Sequence, residues 1–151
     1  MPWALSAGLP LLFQGMSGGS RDSAAAGRNG VPVTIKGRRI LVVEDEIMVA
    51  TDLAYSLEDA GAEPIGPAYS LSEGLAIADR ESVDAAILDV NLHGVDVYPL
   101  AERLLSAGVP FVFHTGHGDR ETLTSRFPGA TVCHKPTLPE RLIAEVARKL
   151  G

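Results

Sequence analysis

Three short apolar runs, Ile40-Leu41-Val42-Val43, Ala85-Ala86-Ile87-Leu88 and Thr131-Val132-Cys133-His134, are followed directly by Glu44-Asp45, by Asp89 and by Lys135-Pro136. Runs this short, bounded by polar residues, read as buried strands. As neighbouring parallel strands they deliver acids and a lysine, remote in sequence, to one carboxyl edge, where open α/β sheets hold their ligands. That arrangement points to a magnesium-dependent site of aspartate phosphorylation.

From Arg38 onward such runs alternate with amphipathic stretches, the βα pattern that demands right-handed crossovers and a parallel sheet. The expected fold is α/β, a five-stranded parallel sheet doubly wound by five helices. The first helix carries Ile47, Ala50, Ala54 and Leu57 on one face and stops at Gly61. Pro64 and Pro67 remove ladder donors from the second strand, near residues 64–69, and so place it at a sheet edge. Ser70 with Glu73 forms a capping box for a second helix through Asp79. Residues 85–88 are apolar throughout and read as a central strand covered on both faces. A third helix over 97–107 and a strand over 111–114 follow. Residues 119–127 are expected to hold a fourth helix of low stability, because Thr122, Thr124 and Ser125 are poor helix formers. After a last strand at 131–134, Leu138, Leu142, Val146 and Leu150 recur at helical spacing, with Thr137 and Glu140 as capping box and Pro139 in the first turn.

A chain of 151 residues, 46% apolar, suits one domain with a real core. A net charge of −6 argues against a nucleic-acid surface, which needs clustered Lys and Arg. The single cysteine, Cys133, excludes an internal disulfide and fits a reducing cytosol. The opening apolar stretch is interrupted by Pro2 and Pro10, lacks a basic leader and is too short to span a bilayer, so neither a signal peptide nor a membrane anchor is expected, and the protein is placed in the cytoplasm. Leu12-Phe13-Gln14-Gly15-Met16 reads as a tag-cleavage remnant ahead of a start methionine, or as the trace of a misassigned upstream start. Residues 1–36, aperiodic and rich in Gly, Ser, Ala and Arg beyond the opening stretch, are expected to be a flexible leader, and 37–151 the folded domain.

Glu44, Asp45 and Asp89 crowd three carboxylates into one pocket, which is tolerable when a cation neutralises them. Magnesium fits, with hard oxygen ligands from one or two carboxylates plus phosphate oxygens. Asp89 is then the nucleophile towards phosphorus. Lys135 and the hydroxyl of Thr115 reach phosphate oxygens, and because phosphoryl transfer is mostly positioning and electrostatics, this small set suffices.

In order and spacing, the acidic pair, Asp89, Thr115 and Lys135-Pro136 resemble the receiver domain of bacterial two-component response regulators, over residues 38–150. The resemblance implies a flavodoxin-like sheet of order 2-1-3-4-5, Asp45 as the direct metal carboxylate, Glu44 as a more indirect one, and the backbone carbonyl of Asn91 as a further ligand. It implies a cis Lys135-Pro136 bond, physically permitted before proline. It also implies that His117, two residues after Thr115, tunes the access of water to the phosphoaspartate. Departures are visible: His93 and Val97 stand where receivers usually have proline and glycine, and Val132 stands where an aromatic switch residue is common. Phe113-His114-Thr115-Gly116, with Asp89-Val90-Asn91-Leu92-His93-Gly94 and Tyr98-Pro99, resembles the single-domain alphaproteobacterial receivers with a Phe-Ala-Thr-Gly signature, His114 replacing the alanine.

The expected function is that of a stand-alone receiver, not an enzyme in the ordinary sense, which takes a phosphoryl group from a sensor histidine kinase or histidine phosphotransfer protein onto Asp89 and hydrolyses it slowly. Its output passes to an unidentified protein through helix four, strand five and helix five, or it serves as a phosphate sink. No nucleic acid and no membrane are expected as partners. Two rivals remain at this level: a small aspartate-nucleophile phosphatase, which would want a second acid where Asn91 stands, and a phosphate-independent pseudo-receiver, which would have lost an acid or the lysine. The histidines His93, His114, His117 and His134 lack a compact zinc spacing, and His114 and His134 are expected as packed strand residues, with Cys133 a small buried hydrophobe.

Overall fold

The computed structural model describes residues 34–116 and 120–151. Most of the expected leader, Asp119 and His117 therefore lie outside the described residues. The elements run β1 (Arg39–Val43), α1 (Ile47–Asp59), β2 (Glu63–Ala68), α2 (Leu71–Arg80), β3 (Ala85–Asp89), β4 (Asn91–Leu92), β5 (Val95–Asp96), α3 (Tyr98–Ser106), β6 (Phe111–Thr115), α4 (Arg120–Arg126), β7 (Thr131–His134) and α5 (Pro139–Leu150).

Five strands form one parallel sheet in the order β2-β1-β3-β6-β7, the expected topology with a small extra ribbon, β4-β5, inserted after β3. Every residue of β3 and β6 is buried, as near-continuous apolar strands in the middle of a doubly covered sheet must be. Alternation along the strands feeds two cores. Leu41, Val43, Ala86, Leu88, Phe111 and Phe113 pack with α2, α3 and α4. Ile40, Val42, Ala85, Ile87 and Val112 pack with Leu53, Leu57, Leu142 and Val146 of α1 and α5. Ile35, ahead of β1, is buried in this second core.

The proline-bearing β2 is indeed an edge strand. Its register against β1 slips between Leu41 and Val43, where Gly66 sits at φ +91 and a Cβ would meet the Ala68 nitrogen at 2.8 Å, so only glycine fits the kink. The capping box of α2 forms: Ser70 Oγ accepts from the Glu73 N–H at 3.2 Å, and the Glu73 carboxylate reaches back to the N–H of Tyr69 at 2.7 Å.

Three local expectations are corrected. Ile47, the first residue of α1, is 64% exposed, while the helix buries the expected Ala50 and Leu57 together with Leu53. Leu138 is 72% exposed and acts as the N-cap of α5. Thr137 does not cap that helix, since its hydroxyl donates to the carbonyl of His134 and so closes the turn after β7. Among the described residues no helix is long and apolar enough to cross a membrane.

Candidate phosphoacceptor site

Parallel register brings the chemistry together. Val43 pairs with Leu88, Asp89 with His114, and Thr115 with His134, so the residues at and just beyond these strand ends emerge along one edge. The N–H of Lys135 bonds the carbonyl of Thr115 at 2.8 Å, extending the β6–β7 ladder by one residue and fixing where the lysine departs. The Lys135-Pro136 bond is cis, as expected.

Lys135 carries the cluster. Its Nζ donates to Glu46 Oε1 at 2.9 Å, to Glu44 Oε2 at 3.1 Å and to Asp89 Oδ2 at 3.3 Å, which uses all three ammonium protons. Burial alone would lower its pKa, but the bond to Glu46 and the charges of Asp89 and Glu44 outweigh it, and the ammonium is held well above the ordinary lysine range. Glu44 is 2% exposed and Asp89 4%. Burial, with the neighbouring Asp89 charge, pushes Glu44 up to about 7, and burial likewise raises Asp89. Asp45 behaves oppositely: although burial raises it, hydrogen bonding with Asp89 and from the His93 N–H holds its carboxyl below the usual range.

Asp45 does not cap α1, whose N-cap is Glu46, without a side-chain cap bond. Its Oδ2 instead accepts the N–H of His93 at 2.9 Å and lies 3.1 Å from the same residue's Nδ1. His93 and Gly94 are the two central residues of the β4–β5 hairpin, at φ 54 and 88, the positive pair that a tight two-residue loop requires. Asn91 opens that ribbon, its N–H facing Asp89 Oδ1 at 3.4 Å and its side-chain oxygen accepting from Gly94 at 2.6 Å. The hairpin thus carries Asn91 and His93 beside the acids.

All the expected site residues that are described, Glu44, Asp45, Asp89, Asn91, Thr115 and Lys135, meet at this edge; Thr115 is buried at the end of β6. Two neighbours were not read from the sequence as site residues. Glu46 is the third acid in an unbroken run, and it makes the shortest contact to Lys135. His114 is buried as expected, but on the Asp89 side of the sheet, which the period-two alternation of β6 from Val112 already implies. Its Nδ1 stands 3.9 Å from Glu44 Oε1, and among the described residues neither ring nitrogen has a hydrogen-bond partner. Burial and the Lys135 charge lower its pKa to about 4, so the ring is neutral. His134, by contrast, is exposed, a correction that follows from β7 being the sheet edge.

Fold and site together define a signalling receiver of the doubly wound type. Residues 40–147 match the response regulator receiver domain, and the chain belongs to that family. It is 32% identical to the transcriptional regulatory protein PdtaR of Mycobacterium tuberculosis, over 70% of this chain and 48% of that protein, so it spans about half the length of that relative. Among solved structures it is similar to SdrG from Sphingomonas melonis Fr1, at 37% identity and TM-score 0.62, covering 73% of this chain and 96% of that one. It is also similar to a CheY-like receiver domain protein from Methanospirillum hungatei JF-1, at 28% identity and TM-score 0.68, covering 76% and 94%. Receiver domains belong to two-component regulators rather than classical enzymes, work with phosphodonors such as kinases, and generally bind magnesium through an acidic cluster. Glu44, Asp45 and Glu46 place ligand oxygens within 4.8 Å of one another, an all-oxygen donor set that suits this hard cation.

Proposed function

We propose that the chain is a stand-alone receiver that accepts a phosphoryl group on Asp89 from the phosphohistidine of a sensor kinase or phosphotransfer protein in the cytoplasm. The observation that carries this reading is Lys135 Nζ held 3.3 Å from the buried Asp89 carboxylate, inside a ring of acids with more negative charge than one ammonium can neutralise. Asp45, Asp89 and the backbone carbonyl of Asn91 are the proposed magnesium ligands, with Glu44 more indirect. Bound there, the cation neutralises phosphoryl oxygens during transfer.

An Asp89 carboxylate oxygen forms the new bond to phosphorus as the bond from the donor imidazole nitrogen breaks. The Lys135 ammonium and the Thr115 hydroxyl hold oxygens of the transferred group. Later attack by water on phosphorus returns the free Asp89 carboxylate and inorganic phosphate, and His117 is proposed to tune that step. Phe113-His114-Thr115-Gly116, with Asp89-Val90-Asn91-Leu92-His93-Gly94 and Tyr98-Pro99, supports membership of the single-domain Phe-Ala-Thr-Gly subgroup.

Output is assigned to the face built by α4, β7 and α5. A groove of about 610 Å³ lies there, with Arg120 and Arg141 among its lining residues and Cys133 and Val132 along its β7 side. Phosphotransfer from a panel of phosphorylated kinases, comparing the wild-type chain with Asp89→Asn, tests the proposal. Label must move to the wild type from at least one donor and to the variant from none; equal labelling of the variant ends it.

A further inference from the structure

We propose that His114 is a positioning residue that takes over the buried Glu44 carboxylate when Lys135 turns to the phosphoryl group. The inference rests on the reading of Asp89 as phosphoacceptor. All three protons of the Lys135 ammonium are engaged with carboxylates, to Glu46, Glu44 and Asp89. A phosphoryl group brings a charge of about −2 and three strong acceptor oxygens, so the lysine must release present partners to grip it.

The two releases are unequal. The Glu46 side chain is 61% exposed, and water replaces the lysine there at little cost. Glu44 is almost fully buried, and a carboxylate stripped of its cation partner in that setting is left short of a donor. Among the described residues, the donors that remain beside it are the N–H of Glu46, bonded to Oε2 at 3.1 Å, and the ring of His114, since the neighbouring Asp89 and Asp45 are themselves carboxyls.

His114 is placed and equipped for the task. Its Nδ1 faces Glu44 Oε1 across 3.9 Å, about 1 Å more than a hydrogen bond needs. A neutral imidazole offers one N–H donor, and neither nitrogen of this ring is committed elsewhere among the described residues. Room to tilt exists as well. A cavity of about 450 Å³ adjoins the ring between α1 and α5, walled by Val49, Leu53, Pro139 and Leu142 and reaching Lys135. The exchange of partners at Glu44 is therefore coupled to a ring movement that faces this cavity, giving the site a second mechanical outlet besides α4.

The test uses the wild-type chain labelled with ¹⁵N histidine, with magnesium and beryllofluoride as the phosphoryl mimic. Fluorine NMR reports whether the mimic binds, and the His114 ring nitrogens report their bonding. The expected result is bound mimic together with a shift of one His114 nitrogen towards a hydrogen-bonded donor. Bound mimic with unchanged His114 nitrogens overturns the inference and leaves the acceptor reading intact, whereas failure of the mimic to bind overturns both. In parallel, His114→Leu, which keeps bulk and loses the donor, should slow phosphorylation by a small phosphodonor ~10-fold, while His114→Asn should stay within about threefold of wild type. Leu and Asn variants that phosphorylate alike, while melting cooperatively as the wild type does, also overturn it.

Discussion

The two helices that flank the edge strand β7 are unequally built. α5 runs for 12 residues and buries Leu142, Val146 and Ala147 against the second core. Its exposed side is tied by Glu145 to Arg148 at 3.3 Å, and Lys149 reaches the carbonyl of Gly129 at 3.1 Å. α4 has 7 residues and buries one of them, Leu123. Its Thr124 hydroxyl turns back to the carbonyls of Arg120 and Glu121, at 2.9 and 3.3 Å, a local bond that weakens helices. The firm attachment of α4 is at its end, where Phe127 meets Tyr98, Phe111 and Phe113 with ring centroids 5.8, 6.0 and 5.4 Å away. The contrast fits the two duties proposed above: Lys135 leaves β7 ahead of the well-anchored α5, where precise placement matters, while the thinly held α4 has the low local stability that a switching element needs.

The largest expected effect that tests this contrast comes from truncating each anchor. Leu142→Ala should cost about 3–4 kcal/mol of global stability in urea denaturation, and Leu123→Ala about 2, because α4 can open on its own without unfolding the sheet. Equal losses would remove the distinction. Next in size is a pH effect on the α1–α5 side, measured without divalent cations. Glu44, raised from 4.5 to about 7, favours the folded state at low pH and loses that contribution as pH climbs through this window. His114, lowered from 6.5 to about 4, contributes above that range and loses its share as pH falls through it. The two trends oppose each other, and Asp89, raised by burial, acts in the same sense as Glu44. Glu44→Gln removes the Glu44 share while His114 keeps its own, so as pH is lowered from 6.5 to 4 the variant should lose stability relative to wild type; a variant whose pH profile matches wild type would contradict the assignment. The smallest effect concerns surface ties. Arg126, 4.6 Å over the Tyr98 ring and 3.0 Å from Glu102, should cost about 0.5–1 kcal/mol on change to alanine. The same change at exposed Arg141 of α5, 3.7 Å from Glu145, should stay within about 0.5. Amide exchange should show faster opening of α4 after the first change and no such local signature after the second.

Much of this architecture is legible in the sequence alone. The unbroken apolar runs of β3 and β6 announced central strands, and the prolines of β2 announced an edge. Asp89 and Lys135 were found because residues next to strand ends in a parallel sheet converge whatever their distance in sequence. The β4–β5 hairpin escaped because strands of two residues carry no periodicity, although His93-Gly94 between Leu92 and Val95 is tight-turn chemistry. The α1 stripe is legible at Ala50 and Leu57 but not at Ile47, which is exposed, or Leu53, which is buried, since Ile47 suits an apolar pattern as well as Leu53 does. His114 was read as mere packing. Hydropathy does not distinguish a buried ring with bonded nitrogens from one with none, and it is strand pairing with Asp89 that brings this ring to within 3.9 Å of Glu44.

The most direct measurement of the central claim is the intact mass of the chain after incubation with a small phosphodonor such as acetyl phosphate, with magnesium and with chelator. The account predicts one phosphoryl adduct in magnesium, lost with chelator, absent from Asp89→Asn and strongly reduced in Lys135→Ala. An adduct that persists on Asp89→Asn, or a wild-type chain that never gains one with any donor, would contradict it.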